Sequence, residues 1–266
     1  MRSKGYVGVD GCRGGWVAAR LTDHMPPVID VFEDLRSLWE AHGDAELILI
    51  DMPIGLPSEG VEERRCDVAA RRLIGPRSAS VFRVPCRQAL RASSYEAACE
   101  INEAHTGKRL SKQIWNIMPS IRALDDLLRE IPEARGVIRE SHPEVIFRAL
   151  AGEPMRRNKH HDEGFTDRLA VLEMLVPGAV ALVDEITLNN PTRILDRADV
   201  VDALALAITA RPGPGPLLSM PFEPPRDDEG LPMEIVYRPM DAEEIVHNLK
   251  ALAQLTVPPE LIDSTP

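Results

Sequence analysis

Five acids and one histidine stand at positions where they could do chemistry. Asp10 closes the apolar run from Tyr6 to Val9, and Asp51 closes the run from Leu47 to Ile50. In an open sheet, ligands bind beyond strand ends, so both carboxylates can face one crevice. Each also fits a turn aspartate bonded to its own backbone. Asp199 and Asp202 lie three residues apart in Arg197-Ala-Asp-Val-Val-Asp-Ala-Leu-Ala-Leu-Ala-Ile-Thr209, a spacing that puts them on one helix face about 60° apart. No charge follows Asp202 until Arg211, and a helix that is apolar nearly all round is buried. Two close carboxylates on such a helix repel and lose hydration, a cost that a cation removes. The quieter alternative makes Asp199 a first-turn acid favoured by the helix dipole and pairs Asp202 with an arginine. Glu144 follows His142 in Ser141-His-Pro-Glu144. It reads either as a further ligand or base, with His142 beside it, or as the far end of a capping box that begins at Ser141.

Hard carboxylate oxygens point to Mg²⁺ or Mn²⁺ rather than zinc. Cys12, Cys66, Cys86 and Cys99 contain no C-x-x-C pair and no histidine at zinc-ligand spacing, so they read as reduced thiols of a reducing compartment. A pair of hard cations can activate water and stabilise the leaving oxygen of a phosphodiester. That chemistry needs acids from several elements at one point.

The elements that must deliver these acids follow from periodicity. Strands are predicted at Tyr6–Val9, Trp16–Leu21, Val28–Phe32 and Leu47–Ile50, with a helix over Glu33–His42 stopped by Gly43. The order strand, strand, strand, helix, strand is a meander followed by a crossover, which gives a mixed sheet. Helices are predicted over Val61–Leu73, Ser93–His105 and Ser111–Glu130, with an irregular, arginine-rich stretch from Gly75 to Leu90. Then come a strand at Val137–Glu140, helices at Pro143–Leu150 and Asp167–Val176, and a short strand at Val180–Val183. The helix Asp196–Ala210 runs into a Pro/Gly segment, a late edge strand falls at Glu234–Tyr237, and an amphipathic helix at Asp241–Leu255 ends the pattern.

Charge narrows the function classes. The 266 residues carry a formal net charge of −11, which excludes a protein that coats nucleic acid through a general basic surface. The balance is uneven, with eleven Lys or Arg against four acids from Arg64 to Lys112, a local +7 that leaves −18 on the rest. Within the basic part, Arg71, Arg72 and Arg77 are candidate phosphate contacts, or a solvated face that pairs with the acidic body. Lys112 follows a helix start and is a weaker candidate, and Lys159 lies in a second basic cluster, Arg156 to His161, read as a flexible loop or a phosphate contact. Aromatic residues are too dispersed to signal a base-stacking platform. No apolar run approaches the ~20 residues of a membrane span, and no signal-peptide pattern precedes the first strand. A cytoplasmic location is therefore expected.

Residues 198–209 resemble the last catalytic helix of RuvC-type Holliday junction resolvases, and Gly8-Val-Asp-Gly11 resembles the first-strand acid of that superfamily. More closely, the chain resembles the predicted ribonuclease-H-like nuclease family known as domain of unknown function 429. The matching pieces are Gly8 to Trp16, Ile50 to Pro57, Arg77 to Pro85, Ser141 to Glu144, and Asp199 to Ala203. The resemblance implies an α/β fold, with a ribonuclease-H-like mixed five-stranded sheet and a helical insertion. It implies metal ligands at Asp10, Asp51 and Asp199 or Asp202. RuvC-type enzymes carry a glutamate, one methylene longer, where this chain has Asp51.

These readings divide the chain into a core at 1–60 and 136–240, a basic helical insertion at 61–135, and a C-terminal helix and tail at 241–266. The expected activity is Mg²⁺- or Mn²⁺-dependent hydrolysis of phosphodiester bonds in DNA or RNA. Asp10, Asp51, Glu144, Asp199 and Asp202 are its catalytic candidates, Arg71, Arg72, Arg77, Lys112, His142 and Lys159 its substrate contacts. A homodimer is compatible with all of this. Two rivals remain open. One is a phosphotransferase or nucleotide hydrolase of the actin and sugar-kinase relatives, with Asp10 and its glycines as a phosphate loop. The other is a non-catalytic binding module.

Overall fold

Apolar side chains alternate along the first two strands, and the alternation splits the core into two layers. In this computed structural model, which describes residues 5–60, 62–191 and 193–239, Val7, Val9, Trp16 and Ala18 face one layer and Tyr6, Val17, Ala19 and Leu21 the other. The strands are β1 (Gly5–Cys12), β2 (Gly15–Thr22), β3 (Val28–Phe32), β4 (Leu47–Ile50) and β5 (Ile138–Glu140). Their order across the sheet is β3-β2-β1-β4-β5. β2 runs antiparallel to both neighbours, while β4 is parallel to β1 and to β5. This is the expected α/β fold with a ribonuclease-H-like mixed five-stranded sheet. β4 is covered on both faces, as its unbroken apolar run requires.

Helix α1 (Leu35–His42) lies between β3 and β4, and α2 (Arg65–Ile74), α3 (Tyr95–Thr106) and α4 (Lys112–Glu130) lie between β4 and β5. Helices α1, α3 and α4 cover the first face of the sheet. After β5 come α5 (Pro143–Ala151), α6 (Asp162–Leu175), α7 (Ala179–Asn189) and α8 (Arg197–Ala210), which cover the second face. The helix starts follow cap chemistry: Asp34, Ser94, Ser111 and Asp196 each accept a first-turn amide, worth about 1 kcal/mol apiece. The irregular stretch predicted from Gly75 to Leu90 contains only two short 3₁₀ segments.

Four expectations change. Val180–Val183 is helical, as part of α7, because the Glu173 carboxylate accepts the amides of Gly178 and Val180 and so caps a helix there. A short apolar run does not separate strand from helix by periodicity alone. α6 starts at Asp162, five residues before the predicted Asp167. A strand β6 (Leu218–Met220), hidden behind the Pro/Gly run, pairs antiparallel with β7 (Ile235–Tyr237). β7 therefore belongs to a separate two-stranded sheet, not to the edge of the main one. The predicted helix at Asp241–Leu255 lies outside the described residues.

Candidate functional site

Parallel β1, β4 and β5 end on the same side of the sheet, and their carboxyl ends form the floor of the site. The Asp51 amide donates to the Val9 carbonyl at 2.9 Å, and the Ser141 amide donates to the Ile50 carbonyl at 3.0 Å. Asp10, Asp51 and His142 thus sit beside one another at three adjacent strand ends. Asp10 is buried and accepts the Gly11 amide at 2.7 Å.

The second wall is α8, which crosses directly over β1. Gly8 makes this possible, since a Cβ there would meet the Ala203 carbonyl oxygen at 2.1 Å and the Ala207 nitrogen at 2.2 Å. Two residues along β1 on the same face stands Asp10, and on the helix above it stand Asp199 and Asp202. The approach is fixed a second time at the β1–β2 turn, where the Gly14 amide donates at 2.9 Å to Ile194, just ahead of α8. The Gly11 and Gly14 amides are both spent inside the protein, so neither is free to hold a phosphate.

The acids meet there. Asp202 is fully buried: its Oδ2 pairs with the Lys159 ammonium, and its Oδ1 has no hydrogen-bond partner among the described residues. Burial raises the Asp10 carboxyl well above the usual carboxylate range, with Asp51, Asp202 and Asp199 pushing the same way and Lys159 pulling against them. Burial also raises Asp51, opposed by His142 and Lys159, and lifts Asp199 to about 6. Burial disfavours the Lys159 cation, but Asp202, Asp10 and Asp51 more than offset this and hold it charged. Four carboxylates from three distant segments thus act on one another around a single ammonium.

Hard oxygens, an excess of negative charge and the orphaned Asp202 Oδ1 fit a divalent cation of the Mg²⁺ or Mn²⁺ type in donor chemistry. As placed, however, no three His, Cys, Asp or Glu side chains among the described residues stand close enough to hold an ion. The acids face Lys159 instead of forming a finished cage.

Glu144 is not the end of a capping box. His142 caps α5 through Nδ1, which accepts the Glu144 amide at 3.2 Å, while the Ser141 hydroxyl donates to the Val236 carbonyl at 2.6 Å. The Glu144 carboxylate is buried, with Arg168 at 2.7 Å and Arg77 at 3.2 Å on Oε1 and no hydrogen-bond partner for Oε2 among the described residues.

The crevice has two arms that share Asp51, Ser80, Phe82 and His142. One, of about 220 Å³, runs past Asp10 toward Ile114 and Ile117 and down to a buried Arg64–Asp67–Glu140 cluster. The other, of about 410 Å³, is lined by Arg77, Glu144, Asn158, Lys159, His160 and Asp202. Of the basic candidates, Arg77, His142 and Lys159 line the crevice. Arg71, Arg72 and Lys112 do not line either arm: Arg71 pairs with Glu63, Arg72 is exposed, and Lys112 lies over the Tyr95 ring at 3.4 Å. Much of the basic segment is spent in pairs, such as Arg87–Asp125, Arg91–Asp126 and Arg109–Glu103. These partners lie within the insertion itself and not on the acidic body, and Arg87 with Asp125 is largely buried instead of solvated.

Sequence reasoning missed Arg168 and Arg64. Arg168 sits among the buried Phe165, Leu169 and Leu172 of α6. A charge inside an apolar helical stripe was its available signal. Arg64 sits in the charged run Glu62 to Arg65 and gave none.

Among the described residues, no helix is long and apolar enough to cross a membrane. No curated protein and no solved structure matches the chain. A family model described as "Protein of unknown function (DUF429)" matches residues 8–226. That span holds the whole acidic cluster and most of the chain, and the protein belongs to this family.

Proposed function

We propose that the protein is a divalent-metal-dependent hydrolase of phosphodiester bonds in a nucleic acid. The observation that carries this reading is that Asp10 and Asp51, at adjacent strand ends, face Asp199 and Asp202 on α8, with one Asp202 oxygen buried and, among the described residues, unpartnered. Holding buried Asp10 and Asp202 and half-buried Asp51 and Asp199 near one ammonium is unfavourable unless a further cation joins them. Asp10, Asp51, Asp202 and Asp199 would hold Mg²⁺ or Mn²⁺, which when bound supplies an activated water and charge for the leaving oxygen.

The chain's own residues do the rest. Arg77, Asn158 and His160 line the larger arm and would hold strand phosphates beside the acids. His142, fixed through its Nδ1 bond, faces both arms and would orient the scissile group or carry a proton at Nε2. The narrower arm, with Phe82, Ile114 and Ile117, suits the flat face of one base. The overall charge of −11 disfavours tight binding to bulk duplex and supports a restricted substrate.

The test is incubation with single strands, duplexes, RNA–DNA hybrids and branched junctions in Mg²⁺ or Mn²⁺. Cleavage that disappears in Asp10→Asn and in Asp202→Asn is the expected result. A panel left intact by the wild-type protein with either metal overturns the reading.

A further inference from the structure

We propose that the narrower arm of the crevice reads guanine, with the Asp67 and Glu140 carboxylates accepting the donors on the edge of that base. This deepens the proposed function and rests on it for the kind of ligand.

The arm is an apolar slot with a charged floor. Its walls include Val84, Ile114 and Ile117, and its floor is the buried Arg64–Asp67–Glu140 cluster. The five N–H groups of Arg64 are all taken. They reach Asp67 at 2.6 and 3.0 Å, Glu140 at 2.7 and 2.8 Å, and the Ile54 and Gly55 carbonyls at 2.8 and 3.2 Å. The Ser80 hydroxyl donates to the Arg77 carbonyl at 2.8 Å, and the Ser141 hydroxyl donates to the Val236 carbonyl at 2.6 Å. Among the described side chains that line the arm, only the His142 ring keeps a loosely held donor, and it stands where the two arms meet. What the floor offers instead is acceptors. Asp67 Oδ2 and Glu140 Oε1 each accept one hydrogen bond, from Arg64, where an ionised carboxylate oxygen has room for two. One guanidinium against two carboxylates also leaves the floor a surplus of negative charge.

A ligand seated there must bring donors. Guanine presents two side by side on its Watson–Crick edge, the ring N1–H and the exocyclic amino group. Adenine and cytosine put a bare ring nitrogen beside their single amino group, and uracil flanks its N–H with two carbonyl oxygens. Each of those sets an acceptor against the carboxylates and leaves it unpaired. The slot holds about 220 Å³, below the roughly 300 Å³ at which sites for whole small molecules begin, which suits a base alone. Phe82, 37% exposed, stands at the junction of the arms as a stacking face. An amine or guanidinium cation would also satisfy the floor, but it would leave Arg77 and Lys159 in the adjoining arm without a partner from the ligand. A nucleotide answers both arms: its base meets the acceptors, and its phosphate reaches the cations past Ser80 and Phe82.

Titration calorimetry on the full chain in EDTA tests this, with the 5′-monophosphates of guanosine, inosine, adenosine, cytidine and uridine, and with agmatine as the cation probe. Guanosine monophosphate is expected to bind at least about five-fold tighter than each of the others, inosine monophosphate included, because it lacks the exocyclic amino group. Asp67→Asn, which sets an amide donor against the base, is expected to erase that preference. Any other ranking in the wild type, agmatine ahead of the nucleotides included, overturns the inference. So does the absence of nucleotide binding, or a preference for guanosine that survives Asp67→Asn. Each of these leaves the hydrolase reading standing, because cleavage of the substrate panel decides that one. Should Asp67→Asn fail to fold, the wild-type ranking still decides.

Discussion

Arg168 donates to Glu144 across 2.7 Å in a place that solvent does not reach. The pair joins α6 to α5, and its other donors hold the backbone at Arg157 and Gly164. Removing one partner of a buried pair leaves an uncompensated charge. Arg168→Leu is therefore expected to cost about 3–5 kcal/mol in urea unfolding. The double variant Arg168→Leu/Glu144→Leu should recover much of that loss. Equal stability of the two would show that the pair carries no such role.

The backbone contact between Gly8 and α8 makes a second prediction. Atoms of a helix backbone cannot rotate aside, so Gly8→Ala is expected to cost about 1–3 kcal/mol, at the upper end of overpacking. It should also weaken Mn²⁺ binding by moving Asp202 from Asp10. Gly136 has open space around its Cβ position, and Gly136→Ala should stay within about 0.5 kcal/mol as the matched control. Unchanged Mn²⁺ affinity in a folded Gly8→Ala would separate the helix contact from the site.

Under the proposed function, protons and metal would compete for the same oxygens. Burial holds Asp10 and Asp51 above the usual carboxylate range and Asp199 at about 6. A raised acid contributes stability below its ordinary range and loses it as pH rises through the folded value. The metal-free protein should therefore melt at lower temperature at about pH 8 than at about pH 5. Mn²⁺ should reverse that loss at the higher pH, do little at the lower, and release protons on binding, measurable by calorimetry in two buffers. Asp199→Asn should flatten the metal-free slope. A melting temperature that rises with pH in the metal-free protein contradicts this account.

Arg64 holds two carboxylates at once. It meets Glu140 at 2.7 and 2.8 Å and Asp67 at 2.6 and 3.0 Å, and also reaches the Ile54 carbonyl at 2.8 Å. Burial pushes Glu140 up to about 7 even against the pull of Arg64. Arg64→Met removes that pull, so it should cost about 3–5 kcal/mol, and the loss should grow as pH rises through the neutral range. Stability of the variant that is flat between about pH 5 and pH 8 would place the strain elsewhere.

Much of this architecture was legible in the residues. The short β-rich runs Tyr6 to Val9 and Trp16 to Leu21, with the unbroken apolar run at Leu47–Ile50, specified the meander and the crossover, because a strand buried on both faces carries apolar residues throughout. The acids at strand ends and on the apolar helix were visible for the same reason: a carboxylate bounded by apolar residues is costly unless it has a task. What stayed hidden was set by partners far away in the chain. Ser141 and Glu144 have capping-box spacing, yet Val236 takes the serine and Arg168 the glutamate. Lys159 looked like one more cation in a basic loop. Only the fold places it against Asp202, forty-three residues on. Val180–Val183 was misread because Glu173, outside that run, decides its conformation.

The close seating of α8 on β1 has a temporal consequence. Asp10 and Asp51 leave the ribosome first, and Asp199 and Asp202 follow only 148 and 151 residues after Asp51. Until α8 docks, a nascent chain carries scattered carboxylates that remain hydrated and separate. A chain that stops before Asp199 lacks the wall that brings these acids face to face, so the cluster forms only as α8 closes over the sheet.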